Sequence, residues 1–327
     1  MSRPPLAALL SALFLIPFAA CAAEGVQITE QGDKVRVEIN GELFTEYCFK
    51  GAPHVYFYPL IGPGGVRMTR DWPMKETEGD EHDHKHHRSL WFSHGAVNGI
   101  DFWSEDAKAG KILHDKFLEV KGGADSGVIR STCKWMNKEE TVLTDERTFR
   151  VYARPAKERL FDFEVTLKAG DREVVLGDTK EGTMAVRVNE HLRGTLPKVA
   201  GEKKFKPGSG RIVLSTGVQS SGAGDDKAWG KRADWCDYSG VVDGKTVGIA
   251  LFDHPSNPKH PTWWHVREYG LFAANPFGVH DFERQPPGTG NVTMAPRQSL
   301  TFKYRFLIHE GDEKQAKVDE RYQEYVK

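Results

Sequence analysis

Alternation of polar and apolar residues with a period of two is the main pattern along this chain of 327 residues. Successive side chains of an extended strand point to opposite faces, so each alternating run predicts a half-buried antiparallel β-strand. Such runs occur at residues 34–39, 128–135, 159–167, 184–188 and 300–307, with a weaker and longer one at 141–153.

Clusters of Gly, Asp and Asn separate these runs and indicate tight turns, as at residues 121–125 and at Asp243 and Gly244. One helix is predicted near the C terminus, at residues 312–326. We therefore predict an all-β fold, a large antiparallel two-sheet β-sandwich with a short C-terminal helix. This sandwich is expected to form a single domain over residues 26–327.

Residues 1–25 have the composition of an export signal. Arg3 precedes an apolar run over residues 6–20, and small residues follow. The run is shorter than the ~20 residues that a membrane span needs, and no later run reaches that length, so no transmembrane span is expected. Two kinds of cleavage remain open. Ordinary signal peptidase would cut after Ala22 or Ala23, whereas a lipobox ending at Cys21 would give a lipid anchor. Either way, the protein is expected to be periplasmic or secreted.

The charge of the chain narrows the class of ligand. The 45 basic and 46 acidic side chains give a net charge of −1, which argues against a nucleic-acid partner held by a basic surface. At 39% hydrophobic residues the chain is also unlike a disordered one. A neutral, hydroxylated small molecule or oligosaccharide fits this charge balance better than a polyanion.

Five histidines fall within thirteen residues of the segment 81–105: His82, His84, His86, His87 and His94. If this segment is an extended strand, the first three point to one face and form a candidate site for a divalent metal. The alternatives are catalytic or sugar-binding histidines and a solvated loop. Aromatic residues interleaved with small ones follow the histidines, and their flat apolar faces suit sugar rings; they are Trp91, Phe92, Phe102 and Trp103.

A second segment rich in polar side chains covers residues 255–282. A strand over 264–269 would place His265, Arg267 and Tyr269 on one face, where they offer an acid/base group, a cation and a hydroxyl. Asn275 and His280 follow in the same segment. A third polar stretch, at residues 177–182, contains Lys180 and Glu181. These two are either site residues or part of an exposed hairpin turn, and the turn is the preferred interpretation.

Four stretches resemble a family of exported bacterial proteins of unknown function that is commonly labelled "methane oxygenase PmoA". They are HHRSLWFSHGAVNGIDFW at residues 86–103, GDTKEGTMAVRV at 177–188, AWGKRADWCDYSG at 228–240 and the segment 252–278. This PmoA-like resemblance covers nearly the whole mature chain. The oxygenase label itself names a subunit with several membrane spans, which this chain is not expected to have.

A second resemblance is to the aldose 1-epimerases, or galactose mutarotases. Residues 94–103, HGAVNGIDFW, are similar to the HGG-x-x-G-F-D-x-x-W segment of that family, and residues 282–306 are similar to its tail. The resemblance implies the mutarotase-like β-supersandwich, with Glu283 as the base and His94 as a sugar-binding residue. It leaves the protonating histidine open: Asn189-Glu190-His191 matches that family's motif in part, and His265 or His280 could serve instead of His191.

These observations lead to one leading hypothesis and two alternatives. The chain is predicted to be an exported carbohydrate-active protein that carries out acid/base chemistry on a sugar or sugar derivative, as an epimerase, lyase or hydrolase, without a cofactor. The predicted catalytic residues are Glu283, His265, His280 and His191, and the predicted sugar-binding residues are His86, His87, His94, Trp103, Arg267, Tyr269 and Asn275. The alternatives are a metal-dependent enzyme using His82, His84 and His86, and a non-catalytic carbohydrate-binding module.

Overall fold

A computed structural model of the chain describes residues 24–196, 206–222, 224 and 226–327. The predicted export signal therefore lies outside the described residues, except for Glu24 and Gly25, and so does the predicted lipid anchor at Cys21. In the part that is described, no helix is long and apolar enough to cross a membrane.

The described residues form nineteen strands and two α-helices. In chain order the strands are β1 Val26–Gln31, β2 Lys34–Ile39, β3 Glu42–Cys48, β4 Tyr56–Leu60, β5 Leu90–His94, β6 Lys111–Lys121, β7 Ser126–Asn137, β8 Glu140–Tyr152, β9 Glu158–Ala169, β10 Val174–Leu176, β11 Gly182–Arg187, β12 Arg211–Leu214, β13 Gln219–Ser220, β14 Trp235–Val242, β15 Lys245–Asp253, β16 Trp263–Val266, β17 Leu271–Asn275, β18 Val292–Met294 and β19 Ser299–Glu310. The helices are α1 Val279–Glu283 and α2 Val318–Val326, and short 3₁₀ turns lie at Pro63–Gly65 and Glu190–Leu192.

Two large antiparallel sheets make up the sandwich. An eight-stranded sheet has the order β1-β2-β3-β4-β5-β11-β17-β16, and a nine-stranded sheet has the order β13-β12-β14-β15-β19-β9-β8-β7-β6. Strands β10 and β18 form a small separate pair. The predicted fold class, an all-β two-sheet sandwich with a short C-terminal helix, is confirmed.

The core lies between the two sheets because each strand alternates apolar and polar residues. In β9, for example, Phe161, Phe163 and Val165 are buried in the core, while Asp162 and Glu164 between them face outward. The predicted turn at Asp243 and Gly244 joins β14 to β15, and both residues have positive φ, 50° and 74°. Such a turn matches the right-handed twist of the paired strands, and Asp-Gly adopts it at low cost.

The outer face of the nine-stranded sheet is covered by α2. Trp235, Phe252 and Leu307 on this face pack with Val318 and Tyr322 of the helix in a second apolar cluster. The prediction of a helix from residue 312 is wrong for its first six residues, because α2 begins at Val318. Residues 313–317 form turns. Lys317 has a left-handed φ of 54°, so the regular helical conformation begins only after it.

Two strands predicted around the candidate chemistry also differ from the structure. Residues 82–87 form a loop and not an extended strand, and His84 within it has a positive φ of 39°. The strand predicted at 264–269 ends at Val266, and Arg267 begins the tight turn into β17. The directions of the side chains at residues 82–87 and 267–269 therefore do not follow the alternation of a strand.

Candidate functional site

The candidate site lies on the outer face of the eight-stranded sheet. The strand register places Trp91 beside Ala185, Ala185 beside Ala273, and Ala273 beside His265 in one row across four strands. The two central residues are alanines, so bulky groups from the loops have room above them. The ring of Trp103 packs into this row as part of a third apolar cluster.

Above this row is a cavity of about 460 Å³, here called the histidine cavity, whose walls come from three segments of the chain. Its volume lies within the range of small-molecule sites. The lining residues are His84, His86, His87, Asp101, Trp103, Ser104, Lys180, Glu181, His265, Arg267 and Tyr269. Six residues predicted from the sequence are thus brought together although they are far apart along the chain: His86, His87, Trp103, His265, Arg267 and Tyr269.

A buried arginine holds the loop that carries the first histidines. Arg70 donates hydrogen bonds to the backbone carbonyls of Glu81, Asp83 and His84 at 3.0, 3.0 and 3.2 Å, and it also pairs with the Asp83 carboxylate. Arg187, on the outer face of β11, donates to the same carboxylate at 2.9 Å. Both arginine side chains are fully buried, so the conformation of the loop depends on these bonds.

The histidines of this loop stack on one another and on aromatic rings. The rings of His84 and His87 are parallel at 4.7 Å, and His86 meets His87 edge-on at 4.5 Å. The other face of His84 stacks on Tyr269 at 5.5 Å, and His87 stacks on Trp91 at 5.2 Å. The stack therefore joins the histidine loop to both the sheet and the turn after β16.

Burial keeps His86 and His87 uncharged. Burial, together with the neighbouring His84, lowers the pKa of His86 to about 4. Burial and then the guanidinium of Arg187, whose Nη1 lies 3.5 Å from Nδ1 of His87, hold the pKa of His87 well below its usual value. At neutral pH these imidazoles are neutral, and each has one nitrogen that donates and one that accepts.

His265 faces the same cavity from β16. Its Nδ1 lies 2.6 Å from the backbone carbonyl of Lys180, and because a carbonyl only accepts, Nδ1 carries the proton. Burial lowers the pKa of His265 to about 3. Its Nε2 has no hydrogen-bond partner among the residues that the structure describes, so a fixed lone pair remains in the cavity wall.

The acidic and hydroxyl groups of the cavity complete its chemistry. Glu181 is partly exposed and forms an ion pair with the ammonium of Lys180. Burial raises the pKa of Tyr269 to about 12, so its hydroxyl keeps its proton at neutral pH. Asp101 accepts hydrogen bonds from the backbone N–H groups of Trp103 and Ser104 at 2.7 and 3.0 Å, and it therefore fixes the position of Trp103.

Glu283, predicted as the base, does not line the histidine cavity. It ends α1 and accepts a hydrogen bond from Nε1 of Trp263 at 2.9 Å. It lines a neighbouring cavity of about 630 Å³ together with Trp229 and Phe282. The structure therefore places this carboxylate, held by Trp263, in a different cavity from the histidines of the loop.

The four remaining predicted site residues also lie outside the histidine cavity. His94 is buried, with its Nε2 2.9 Å from the carbonyl of Gly177, and burial lowers its pKa to about 4. Asn275 donates to the carbonyl of Thr179 at 3.0 Å and holds the turn before β11. His280 bonds to the carbonyl of Gln285, and His191 is exposed on a 3₁₀ turn.

The alternative metal site is not assembled in this structure. His82 stacks on Trp72 at 4.0 Å, and its Nε2 lies 3.1 Å from Glu76, whereas His84 and His86 line the histidine cavity. The loop conformation separates them because the alternation of an extended strand is absent. Among residues 24–196, 206–222, 224 and 226–327, no three His, Cys, Asp or Glu side chains are grouped so that they could hold a metal ion.

The sequence analysis named Glu181 as a possible site residue but preferred an exposed turn for residues 177–182, whereas the structure places Glu181 in the cavity lining. The sequence did contain an indication of this position. Alternate residues of a strand share a face, so Thr183, Ala185 and Arg187 of β11 lie on one face, and Glu181, two residues before Thr183, is expected on the same side. Arg70 was missed. Nothing in its surrounding sequence indicates that it reaches a loop more than ten residues further along the chain.

The fold and the cavity define an all-β sandwich protein with a ligand-sized polar cavity on the outer face of one sheet. The chain belongs to the family of unknown function DUF6807, whose model matches residues 34–323. The expected membership of a family of unknown function is thereby confirmed, although this match does not carry the PmoA label. No curated protein matches the chain.

Solved structures similar to the chain include two proteins related to mutarotases. One is a galactose mutarotase related enzyme from Lactobacillus acidophilus, with 10% identity and a TM-score of 0.33, covering 87% of this chain and 97% of that one. Another is a GalM/aldose epimerase homologue from C. elegans, with 9% identity and a TM-score of 0.35, covering 89% and 99%.

The heparan sulfate lyase HepC from Pedobacter heparinus is also similar, with 9% identity and a TM-score of 0.35, covering 89% of this chain and 36% of that one. The likeness to galactose mutarotases that the sequence suggested is thus found again among solved structures. All three TM-scores lie below 0.5, so the function proposed below depends on the cavity alone.

Proposed function

We propose that the chain is a carbohydrate-active enzyme that binds a sugar ring or sugar derivative in the histidine cavity and transfers a proton there. The observation that carries this proposal is the convergence of His86, His87 and His265, all uncharged, with the Glu181 carboxylate in one cavity of about 460 Å³. These groups come from distant parts of the chain and meet in a single polar site.

The lining of the cavity fits a neutral ligand that carries several hydroxyl groups. Each hydroxyl both donates and accepts a hydrogen bond, and a neutral imidazole offers one group of each kind. Nε2 of His265 accepts, the Tyr269 hydroxyl donates, and the flat ring of Trp103 provides an apolar surface for the face of a sugar. Uncharged histidines also avoid the cost of burying a cation next to a neutral ligand.

Glu181 is the group in the cavity best suited to act as the base. Its carboxylate is partly exposed and is not used to hold the backbone, whereas Asp101 is occupied by the N–H groups of the turn that carries Trp103. The ammonium of Lys180 lies against Glu181 and can return a proton to the substrate. Epimerisation, elimination and hydrolysis at a sugar carbon all need such a pair of groups.

The test compares Glu181→Gln with the wild type on a panel of hexoses, methyl hexosides and oxidised hexosides. Polarimetry measures mutarotation, and sugar release and double-bond formation measure hydrolysis and elimination. We expect Glu181→Gln to lose at least about 100-fold in turnover, as is typical of removing a general base, with little change in binding. Glu164→Gln, on the exposed face of the other sheet, is the matched control and should keep full turnover.

Three outcomes would contradict this assignment. Full turnover in Glu181→Gln, together with loss of turnover in Glu283→Gln, would return the role of base to Glu283. Sugar binding without turnover on any substrate of the panel would favour a non-catalytic carbohydrate-binding module. A stoichiometric divalent metal in the purified protein, whose removal abolishes turnover, would favour the metal-dependent alternative.

We also propose that the enzyme acts outside the cytoplasm. The support is the basic and apolar composition of residues 1–25. Cell fractionation combined with N-terminal sequencing tests this proposal, and recovery of the intact N terminus in the cytoplasm would reject it. Cys21→Ala distinguishes the two kinds of cleavage, because it releases the protein from membranes only if Cys21 carries a lipid anchor.

A further inference from the structure

A second cavity, of about 630 Å³, adjoins the histidine cavity on the side of α1. Its lining includes two aromatic rings and four charged side chains: Trp229, Phe282, Asp226, Lys231, Asp281 and Arg284. The proposed function uses none of them. Trp229 and Lys231 of this cavity belong to residues 228–240, one of the four stretches that carry the PmoA-like resemblance. The proposed function assigns no role to this stretch.

One side chain that lines the histidine cavity lies close to an aromatic ring of each cavity. The guanidinium of Arg267 lies 5.9 Å from the ring centre of Tyr269, on the side of the histidine cavity, and 5.6 Å from that of Trp229, on the other side. Its Nε pairs with Asp226 at 3.0 Å. The guanidinium of Arg267 therefore lies close to one aromatic ring from each cavity.

A second contact joins the two cavities at the turn before β11. The backbone N–H of Lys180, which lines the histidine cavity, donates to the Asp281 carboxylate of the other cavity at 2.8 Å. The ring of His265 lies 6.4 Å from Trp229 and 6.1 Å from Phe282. A ligand that fills the histidine cavity thus lies within one layer of side chains of the second cavity.

The second cavity has the mixed lining that suits a sugar. Trp229 and Phe282 meet edge-to-face at 5.2 Å and give it an aromatic wall. The cations Lys231 and Arg284 supply donors, and the carboxylate of Asp281 supplies an acceptor. Opposite charges in similar number favour a hydroxylated neutral group over an anion, for the same reason as in the histidine cavity.

We propose that this second cavity is a subsite for a further sugar residue, so that the preferred ligand is a disaccharide or a longer glycoside and not a free monosaccharide. The first residue occupies the histidine cavity, the glycosidic bond crosses beside Arg267, and the next ring packs against Trp229. The inference rests on the proposed function, since it takes the histidine cavity as the site of the first ring.

The test measures binding by isothermal titration calorimetry for the methyl hexosides and for matched neutral disaccharides: cellobiose, maltose, laminaribiose, lactose and melibiose. At least one disaccharide should bind about tenfold more tightly than its methyl hexoside, which is the size of effect that one aromatic contact supplies. Trp229→Ala should remove this gain and leave the methyl hexoside unaffected, whereas Trp229→Phe should keep most of it.

The outcomes separate this inference from the proposed function. If disaccharides and methyl hexosides bind equally well to the wild type, or if Trp229→Ala weakens both equally, the second subsite is rejected while sugar binding in the histidine cavity stands. If no sugar binds, the proposed function and the subsite are both rejected. Circular dichroism of the two Trp229 variants checks that each is folded.

Discussion

The outer faces of the two sheets are covered in different ways. On the nine-stranded sheet, Trp235, Phe252 and Leu307 are covered by the apolar side of α2. The cavity of about 470 Å³ beside this helix is lined by Trp235 and Val318 together with charged residues around the start of α2, and it contains no histidine. On the eight-stranded sheet, the row from Trp91 to His265 is covered by loops that carry charged and polar side chains. One face is thus covered by the apolar packing of a helix, and the other by loops whose histidines and other polar side chains line the histidine cavity.

Buried histidines show the same contrast. On the nine-stranded sheet, Nε2 of His309 lies 2.7 Å from the Asp237 carboxylate; burial alone would lower its pKa, but this carboxylate more than offsets the effect, so the pKa of His309 is raised. On the eight-stranded sheet, burial dominates and the pKa of His265 is lowered. Burial by itself therefore does not set the charge of a histidine, because a paired carboxylate reverses the direction of the pKa shift.

The largest expected effect comes from the arginine that holds the histidine loop. Arg70→Ala leaves three backbone carbonyls without this donor and removes one of the two buried arginines that pair with the Asp83 carboxylate. Breaking a buried ion pair by removing one partner costs about 3–5 kcal/mol, so we expect the free energy of unfolding to fall by that amount and sugar binding to be lost. Urea unfolding and calorimetry measure the two effects.

Arg172→Ala is the control for this prediction. Arg172 also pairs with a carboxylate, that of Glu140, but its side chain is 79% exposed. Exposed ion pairs contribute little to stability, so this variant should unfold like the wild type. An equal effect of the two substitutions would show that the loop does not depend on the buried arginine.

A smaller effect is expected from the helix that covers the other sheet. Tyr322→Ala removes a ring that packs on Phe252 at 5.8 Å, and we expect the free energy of unfolding to fall by about 2–3 kcal/mol. Sugar binding by the folded variant should not change, because α2 lies on the opposite face of the sandwich. Tyr322→Phe keeps the packing and should resemble the wild type. A weaker sugar affinity in folded Tyr322→Ala would contradict the separation of the two faces.

The smallest expected effect depends on pH. The pKa of His265 is lower in the folded chain, about 3, than in the unfolded one, so neutral His265 contributes stability above pH 6.5 that is lost as the pH falls. Protonation of this histidine in the unfolded chain lowers the free energy of unfolding by about 2 kcal/mol at pH 5 relative to neutral pH. In His265→Gln the fall in unfolding free energy between pH 7.5 and pH 5 should therefore be smaller by about that amount.

His309→Gln should shift the pH dependence in the opposite sense. The pKa of His309 is raised by Asp237, so its contribution is complete below pH 6.5 and is lost as the pH rises through the folded value. The wild type should lose this contribution as the pH rises above 6.5, and the variant should not. If both substitutions change the pH dependence with the same sign, the contrast between the two faces is wrong.

The sequence by itself determined most of the sandwich. Alternation identified β2 with its bounds, most of β7 and β9 and the greater part of β19, because a half-buried strand has to place every second residue in the core. Prediction from local sequence failed where the chain does not form a half-buried strand, so that alternation carries no information about its conformation. Residues 82–87 carry alternating histidines but form a loop, since Arg70 satisfies their backbone carbonyls in place of a neighbouring strand.

The candidate site could be predicted only in part, because local sequence shows the kinds of side chain but not which of them meet. His86, Trp103 and His265 were recognised as residue types that suit a sugar, and this choice needs only the chemistry of the side chains. That they meet around Ala185 and Ala273, with Glu181 and without Glu283, depends on strand order and register. The sequence therefore determined the strands and the kinds of chemical group. Only the tertiary structure decided which groups share a cavity, because contacts between distant segments leave no periodic signal along the chain.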